Sequence, residues 1–351
     1  MTNPSHIDID LRQMIVAIET AVSLVGMNDT NHGKRVGFIA FQIGHQLGLD
    51  EKRLRFLYEL GLLHDCGVSS EQVHNQLVNH FDWNDAHIHC EIGHQLLQDF
   101  QPLAAFATPI LYHHTPWFEL QTNDICAETA RMANIIFLAD RVDILSAAHY
   151  NTDILFAKDT IIQSLTKYSG NYFDPELVQS LQQVQQSESF WITLEDRHIE
   201  RYAWSMAQIS EPHFLTIDEI KQLALIMSYI VDQKSNFTAE HSVRVANVSA
   251  FLAKQFQITG IQYEKMIIAA LLHDIGKLHT PDDILEKPGP LTAQERSVMN
   301  RHSFESYEIL RYIKGMEDIA LWAAYHHEGL KGGGYPFHPQ EQHLSIEARI
   351  L

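Results

Sequence analysis

Apolar residues along this chain recur at three- and four-residue steps, seldom at every second position. The stretches 10–25, 34–48, 51–64, 89–99, 127–147, 216–233, 242–256, 261–274 and 293–312 all carry that spacing, which lines one side of a helix. Thr216, with Glu219 three residues on, predicts an N-cap for the helix of 216–233. The stretch 187–195 (SESFWITLE) is the best candidate for a strand. Gly48, Pro102, Pro109, Pro116, Gly260, Pro281 and Pro288-Gly289-Pro290 fall mostly between the helical stretches. The expected fold class is all-α.

A repeat is laid over this helical pattern. His32 precedes the pair His64-Asp65 by 32 residues, and His241 precedes His273-Asp274 by the same 32. His89 precedes His113-His114 by 24 residues, as His302 precedes His326-His327. Neighbouring residues echo as well: HGKRV and HSVRV, GLLHDCG and ALLHDIG, ILYHHT and AAYHHE. Two copies of one fold are expected. The first covers 1–187, closed by the polar run QQVQQSES, and the second covers 215–351. A connector at 188–214 carries aromatics that predict packing against a domain.

The repeated residue types point to metals. An adjacent His-Asp pair supplies one nitrogen and one oxygen donor, and the four further histidines of the second copy exceed what one tetrahedral ion takes. A mixed nitrogen and oxygen set of this size suits two first-row ions, iron or manganese more than zinc, bridged by Asp274. Two such ions can hold a bridging hydroxide and neutralise a phosphoryl oxygen, which is hydrolytic phosphoester chemistry.

Composition narrows the setting. The 351 residues are 45% apolar, enough for two cores, and the net charge of −19 argues against a broad surface for polymeric nucleic acid. Cys66, Cys90 and Cys126 form no CxxC pair and read as small buried thiols in a reducing compartment, although Cys66 and Cys90 adjoin proposed ligands. No apolar run reaches the ~18–20 residues of a membrane span. A soluble, cytoplasmic protein is expected.

The second copy resembles the HD-GYP family of metal-dependent phosphodiesterases. The matching segments are HSVRV (241–245), LLHDIGKL (271–278), DDILEKPGPLT (282–292), His302, HHEGLKGGGYP (326–336) and IEARIL (346–351). The resemblance implies an all-helical bundle with a di- or trinuclear metal centre that hydrolyses cyclic dinucleotides, cyclic di-GMP or a mixed GMP–AMP compound, to linear products. By position, His241, His273, Asp274, His302, His326 and His327 would be metal ligands, and Lys277 would face the scissile phosphate beside Asp274. Lys287 would be a weaker phosphate contact. Gly334, Tyr335 and Pro336 would shape the pocket mouth or dock signalling proteins.

Four departures from the family pattern carry expectations. Phe237 stands where a third-metal glutamate would be, with Glu240 out of place, which favours two metals. Lys331 replaces an aspartate in the loop, and Ser306 replaces a glycine. Family members continue into a helix whose aspartate completes the metal site, so a longer chain than the one ending at Leu351 is expected. The first copy holds a second metal set, His32, His64, Asp65, His89, His113, His114 and Asp140, but has Val68 for the lysine and no GYP loop. It is expected to serve as a metal-binding auxiliary or as a metal-free packing and dimerisation partner. The expected substrate is a cyclic dinucleotide; a second copy of the chain is a candidate partner. The rival reading is a tandem signalling module that binds nucleotide or metal without cutting. A third places the working site in the first domain.

Overall fold

In the computed structural model, residues 7–25, 31–68, 70, 87–208, 212–234 and 240–351 are described. They contain no strand, only two isolated bridges that pair Asp10 with Phe214 and Ser169 with Phe173. No described helix is long and apolar enough to cross a membrane.

The described residues group into two compact units, one drawn from 1–28 and 212–351, the other from 29–68 and 75–211. Helix α1 (Leu11–Val22) therefore belongs with the second copy, which differs from the expected first-copy boundary at residue 1. The reason is local pairing. Leu215 donates its backbone N–H to Ile9 and Leu11 donates to His213, both at 2.9 Å, while Met14, Ile15 and Ile18 are buried. The Lys314 N–H also reaches Gln13 Oε1 at 2.9 Å.

The unit of 29–68 and 75–211 is built on α2 (His32–Gln46), α3 (Glu51–Leu63), α4 (His87–Leu97), α5 (Ala104–Leu111) and α6 (Ala127–Ser146). Helix α6 is buried nearly all round, through Ala133, Ile135, Ile136, Leu138, Ala139 and Val142. Such a helix belongs at a core, and it carries Asp140 there. Three further helices, α7 (Ile154–Thr166), α8 (Pro175–Val184) and α9 (Glu188–Thr193), complete the bundle with α10 (Asp196–Gln208).

One sequence expectation changes here. The strand expected at 187–195 is helix α9, because Phe190, Trp191 and Leu194 come together on one buried side at helical spacing. Trp191 Nε1 caps the preceding chain by donating to Gln185 O at 2.9 Å. Within the expected connector, α9 and α10 pack against α2. Phe38 of α2 stacks on Phe190 at 5.7 Å and meets Tyr202 edge-on at 4.8 Å.

The other unit adds α11 (Ile217–Asp232), α12 (His241–Gln255), α13 (Gly260–Leu272), α14 (Ala293–Met299), α15 (His302–Leu310), α16 (Glu317–Tyr325) and α17 (Ile346–Ile350). Helix α11 opens with the expected capping box: Glu219 N donates to Thr216 Oγ1 at 3.3 Å, and Thr216 N donates to Glu219 Oε2 at 2.8 Å. The single helix expected at 293–312 is two, broken at Asn300-Arg301. The His302 ring binds the Met299 carbonyl at 2.7 Å, and so takes up an acceptor left at the end of α14. The break sets His302 at the first position of α15.

Candidate metal centres and their relatives

Each His-Asp pair sits at the end of a helix, after α3 and after α13. His64 and His273 are the C-cap residues, where the chain turns and both side chains of the pair face one interior. In the second unit the Asp274 carboxylate lies between two groups of imidazoles. Its Oδ2 is 3.0 Å from His273 Nε2 and 3.5 Å from His241 Nε2. Its Oδ1 is 3.4 Å from His302 Nε2 and 3.6 Å from His326 Nε2. His327 offers a ligand atom within 4.8 Å of those of His302 and His326, so all six predicted residues are brought together.

The tautomers are set from outside. His273 Nδ1 lies 2.8 Å from the Ala270 carbonyl, His302 Nδ1 2.7 Å from Met299, and His326 Nδ1 2.5 Å from Ala323. A carbonyl accepts only, so each Nδ1 carries the hydrogen and each Nε2 presents a lone pair inward. His302 Nε2 and His326 Nε2 face each other at 3.1 Å, and the buried Asp274 Oδ1 accepts no hydrogen bond among the described residues. Converging lone pairs and an unsatisfied buried carboxylate oxygen fit a divalent cation. Burial pushes His302 down to about 4, which leaves the imidazole neutral, the form able to bind a cation. Burial would raise Asp274, but His273 and Lys277 outweigh it and hold the carboxyl well below the usual range.

Lys277 Nζ is 2.6 Å from Asp274 Oδ2. Tyr335 stacks on His327 at 4.8 Å and lies 6.2 Å from His302, so the Gly334-Tyr335-Pro336 loop borders the cluster. Glu328 Oε1 ties that loop down by accepting the N–H groups of Phe337 at 2.6 Å and His338 at 2.9 Å. Lys287 is engaged elsewhere, 2.6 Å from Glu295 Oε2 in the capping box of α14. Lys331 is exposed on the loop. Phe237 lies outside the described residues, and Glu240 precedes α12 in a left-handed conformation without a side-chain cap.

The first unit repeats the arrangement. Asp65 Oδ1 is 3.3 Å from His89 Nε2 and 3.7 Å from His113 Nε2, while Asp65 Oδ2 is 3.4 Å from His64 Nε2 and 3.7 Å from His32 Nε2. His32 Nε2 is 3.3 Å from Asp140 Oδ1, and His114 Nδ1 is 4.0 Å from Asp140 Oδ2. All seven predicted residues converge. His89 Nε2 faces His113 Nε2 at 3.2 Å, whereas His64 and His113 turn Nδ1 to the carbonyls of Gly61 and Ile110. His64 Nε2 and Asp65 Oδ1, both buried, have no hydrogen-bond partner among the described residues. This set fits a cation as well.

Several residues at these sites escaped the sequence reading. Asp143, three residues after Asp140 on the same face of α6, accepts from His32 Nδ1 at 2.7 Å and from Arg35 Nε at 2.6 Å. Arg141 binds Asp140 Oδ2 at 2.7 Å, so a buried guanidinium stands near this cluster although Val68 replaces the lysine. The i,i+3 repeat in ADRVD is the signal that could have found Asp143. Cys90, which the sequence places beside His89, is buried with Sγ 3.6 Å from both His89 Nε2 and His113 Nδ1. Burial raises that thiol, but the two histidines outweigh it and bring it down to about 6. Cys126, expected to be buried, is instead exposed, where Sγ accepts from Thr129 N at 3.4 Å as the cap of α6. Near the second cluster, Ser242 Oγ lies 3.4 Å from Asp232 Oδ1, and burial raises the Asp232 carboxyl to about 6.

Comparison with known proteins agrees with this geometry. Residues 30–145 and residues 225–351 each match the HD domain family. The chain is 36% identical over 351 residues to 3'3'-cGAMP-specific phosphodiesterase 1 of Vibrio cholerae, covering 98% of this chain and 81% of the relative. It is 25% identical to 3'3'-cGAMP-specific phosphodiesterase 3 of the same organism, covering 97% and 84%. A crystal structure of a cyclic GMP-AMP specific phosphodiesterase from V. cholerae superimposes with a TM-score of 0.68 at 23% identity, over 97% of this chain and 96% of that one, and supports the all-helical fold. With an HD domain in each half, converging histidine–aspartate clusters and a GYP loop in the second, the chain belongs to the HD-GYP family of HD-domain phosphodiesterases.

Proposed function

We propose that the second domain hydrolyses a 3'3'-linked cyclic dinucleotide, the mixed GMP–AMP compound ahead of cyclic di-GMP, to its linear dinucleotide. The observation that carries this reading is the Asp274 carboxylate, set between the imidazole groups of His241 with His273 and His302 with His326, with Lys277 against it. The two V. cholerae relatives, both named for 3'3'-cGAMP, favour the mixed substrate. Two divalent ions, iron or manganese, would be held by His241, His273, Asp274, His302, His326 and His327. When bound, such ions lower the pKa of a water and neutralise a phosphoryl oxygen.

The chain's own groups do the rest. The Nδ1 contacts of His273, His302 and His326 with backbone carbonyls fix their rings before anything binds. The Lys277 ammonium supplies a mobile positive charge beside Asp274, suited to negative charge that grows on the phosphoryl oxygens. Tyr335, stacked on His327, limits approach from the loop side. Lys287, paired with Glu295, keeps at most an indirect part through the segment before α14.

The first domain is proposed as an auxiliary that holds its own metal on His32, His64, Asp65, His89, His113, His114 and Asp140. It has neither the lysine nor the GYP loop that the second domain places at its cluster. A reducing, cytoplasmic setting is proposed from the three free cysteines.

The test is turnover of 3'3'-cGAMP and cyclic di-GMP by protein loaded anaerobically with iron or manganese, beside an Asp274→Ala control. A linear dinucleotide that disappears in the control is the expected result. No product from fully loaded protein would overturn the proposal.

A further inference from the structure

Ser306 stands at the junction of the two segments that carry most of the second cluster. It is wholly buried in α15, one turn after His302. Its Oγ accepts the Gly276 N–H at 2.9 Å and donates to the His273 carbonyl at 2.7 Å. Both backbone groups lie at the end of α13, where the last carbonyls and the following N–H groups lack partners within the helix. One hydroxyl therefore closes the turn that presents Asp274 and Lys277, and does so from the helix that presents His302.

The first domain shows what this hydroxyl adds. Gly93 holds the matching place, four residues after His89. A Cβ at Gly93 would meet Ile110 Cγ2 at 2.9 Å and Cys66 Sγ at 3.2 Å, so no serine fits there without displacement. In the second domain the corresponding residues are Ala323, three before His326, and Ile275, two after His273. Ala323 lacks the Cγ2 that crowds Gly93, while the larger Ile275 stands for Cys66, and Ser306 is wholly buried with both hydrogen bonds formed.

We infer that Ser306 is a positioning residue for the second centre, which locks the His273–Lys277 turn to His302 so that Asp274 and Lys277 are held in register with the ligands of α15. This rests on the proposed reading of that centre as the working site. Ser306 touches no reacting group, so its effect passes through Asp274 and Lys277.

The test uses the full chain carrying Asp65→Asn, which weakens the first cluster so that Mn²⁺ binding reports the second. Adding Ser306→Ala is expected to weaken Mn²⁺ binding in equilibrium dialysis by about tenfold or more. At saturating Mn²⁺, kcat for cyclic dinucleotide should fall about 10- to 100-fold, with KM within about twofold. Ser306→Thr keeps the hydroxyl and should restore most of both. Should the alanine variant fail to fold, Ser306→Cys, near-isosteric but a weak donor, is measured in its place with the same losses expected.

The inference is overturned if the folded alanine variant binds Mn²⁺ and turns over like its parent. It is equally overturned if the only change is a lower melting temperature, or if the threonine variant loses as much as alanine. If the parent binds Mn²⁺ but cleaves neither dinucleotide, the proposed function fails, while the dialysis arm still decides the role of Ser306.

Discussion

Replacing Lys277 by methionine removes a charge while keeping an unbranched chain of similar length, and two measurements should then move in opposite directions. Lys277 Nζ lies 2.6 Å from Asp274 Oδ2, with the two side chains 17% and 4% exposed. A pair this enclosed is worth more than the ~0–1 kcal/mol of a surface ion pair and falls near the lower end of ~1.5–3 kcal/mol for a charge-assisted hydrogen bond. A cation entering the site competes with that ammonium for the same oxygen. Taking about 1.5 kcal/mol as the competition removed, Lys277→Met should bind Mn²⁺ about tenfold more tightly, at ~1.36 kcal/mol per decade. The same substitution removes a positive group from the place where phosphoryl charge develops, so kcat at saturating Mn²⁺ should drop about 10²- to 10³-fold. Equilibrium dialysis reads the first quantity and initial rates of linear dinucleotide formation read the second. If affinity and kcat fall together, Lys277 supports the architecture of the site and the reasoning is refuted; an unchanged kcat removes it from the chemistry.

Three further outcomes follow from the geometry. His64 and His302 are each brought down to about 4 by burial, so the unfolded chain takes up more protons between roughly pH 4 and 6.5. Metal-free protein should therefore lose stability as pH falls through that window, partly offset by Asp232, which is raised to about 6; a urea midpoint that stays level from pH 6.5 to 4.5 would contradict this. Trp191→Ala empties a fully buried site and deletes the bond to Gln185 O, and should destabilise its unit by about 3–5 kcal/mol in urea unfolding. A loss below ~1 kcal/mol would show that the site collapses around the gap. Glu328→Ala frees the backbone N–H groups of Phe337 and His338 and should raise KM more than it lowers kcat; equal KM in steady-state kinetics would detach the loop from substrate binding.

The cluster was legible in the sequence because ligand residues are fixed both by type and by spacing. The helices that carry them have constant rise, so the equal intervals His32 to His64 and His241 to His273 translate into equal geometry. All thirteen predicted cluster residues converge, in two groups. What escaped was whatever depends on contacts distant in sequence. The 187–195 stretch is too short for its period to be decisive, and burial of Trp191 against the bundle made it helical. The break at Asn300-Arg301 was hidden because apolar spacing runs on through 293–312, while the interruption arises from one ring, His302, binding the Met299 carbonyl. The placement of α1 with 212–351 rests on backbone pairing of Ile9 with Leu215, which no side-chain pattern encodes. Asp143, Arg35 and Arg141 support the first cluster from positions that ordinary surface charges also occupy in a sequence.

Gly276 has a consequence for how the second centre can move. A Cβ there would lie 2.0 Å from the His302 carbonyl oxygen and 2.6 Å from Ser306 N, so two stretches of main chain rest directly on each other. At this contact main chain meets main chain, and the Ser306 hydroxyl bridges the same junction through Gly276 N and the His273 carbonyl. The HD turn and the start of α15 thus travel as one stiff block. Breathing of the centre is left to the other contributors, α12 with the half-exposed His241 and the end of α16 with His327. Admission of a bulky dinucleotide and release of its product then become tasks for those two helices.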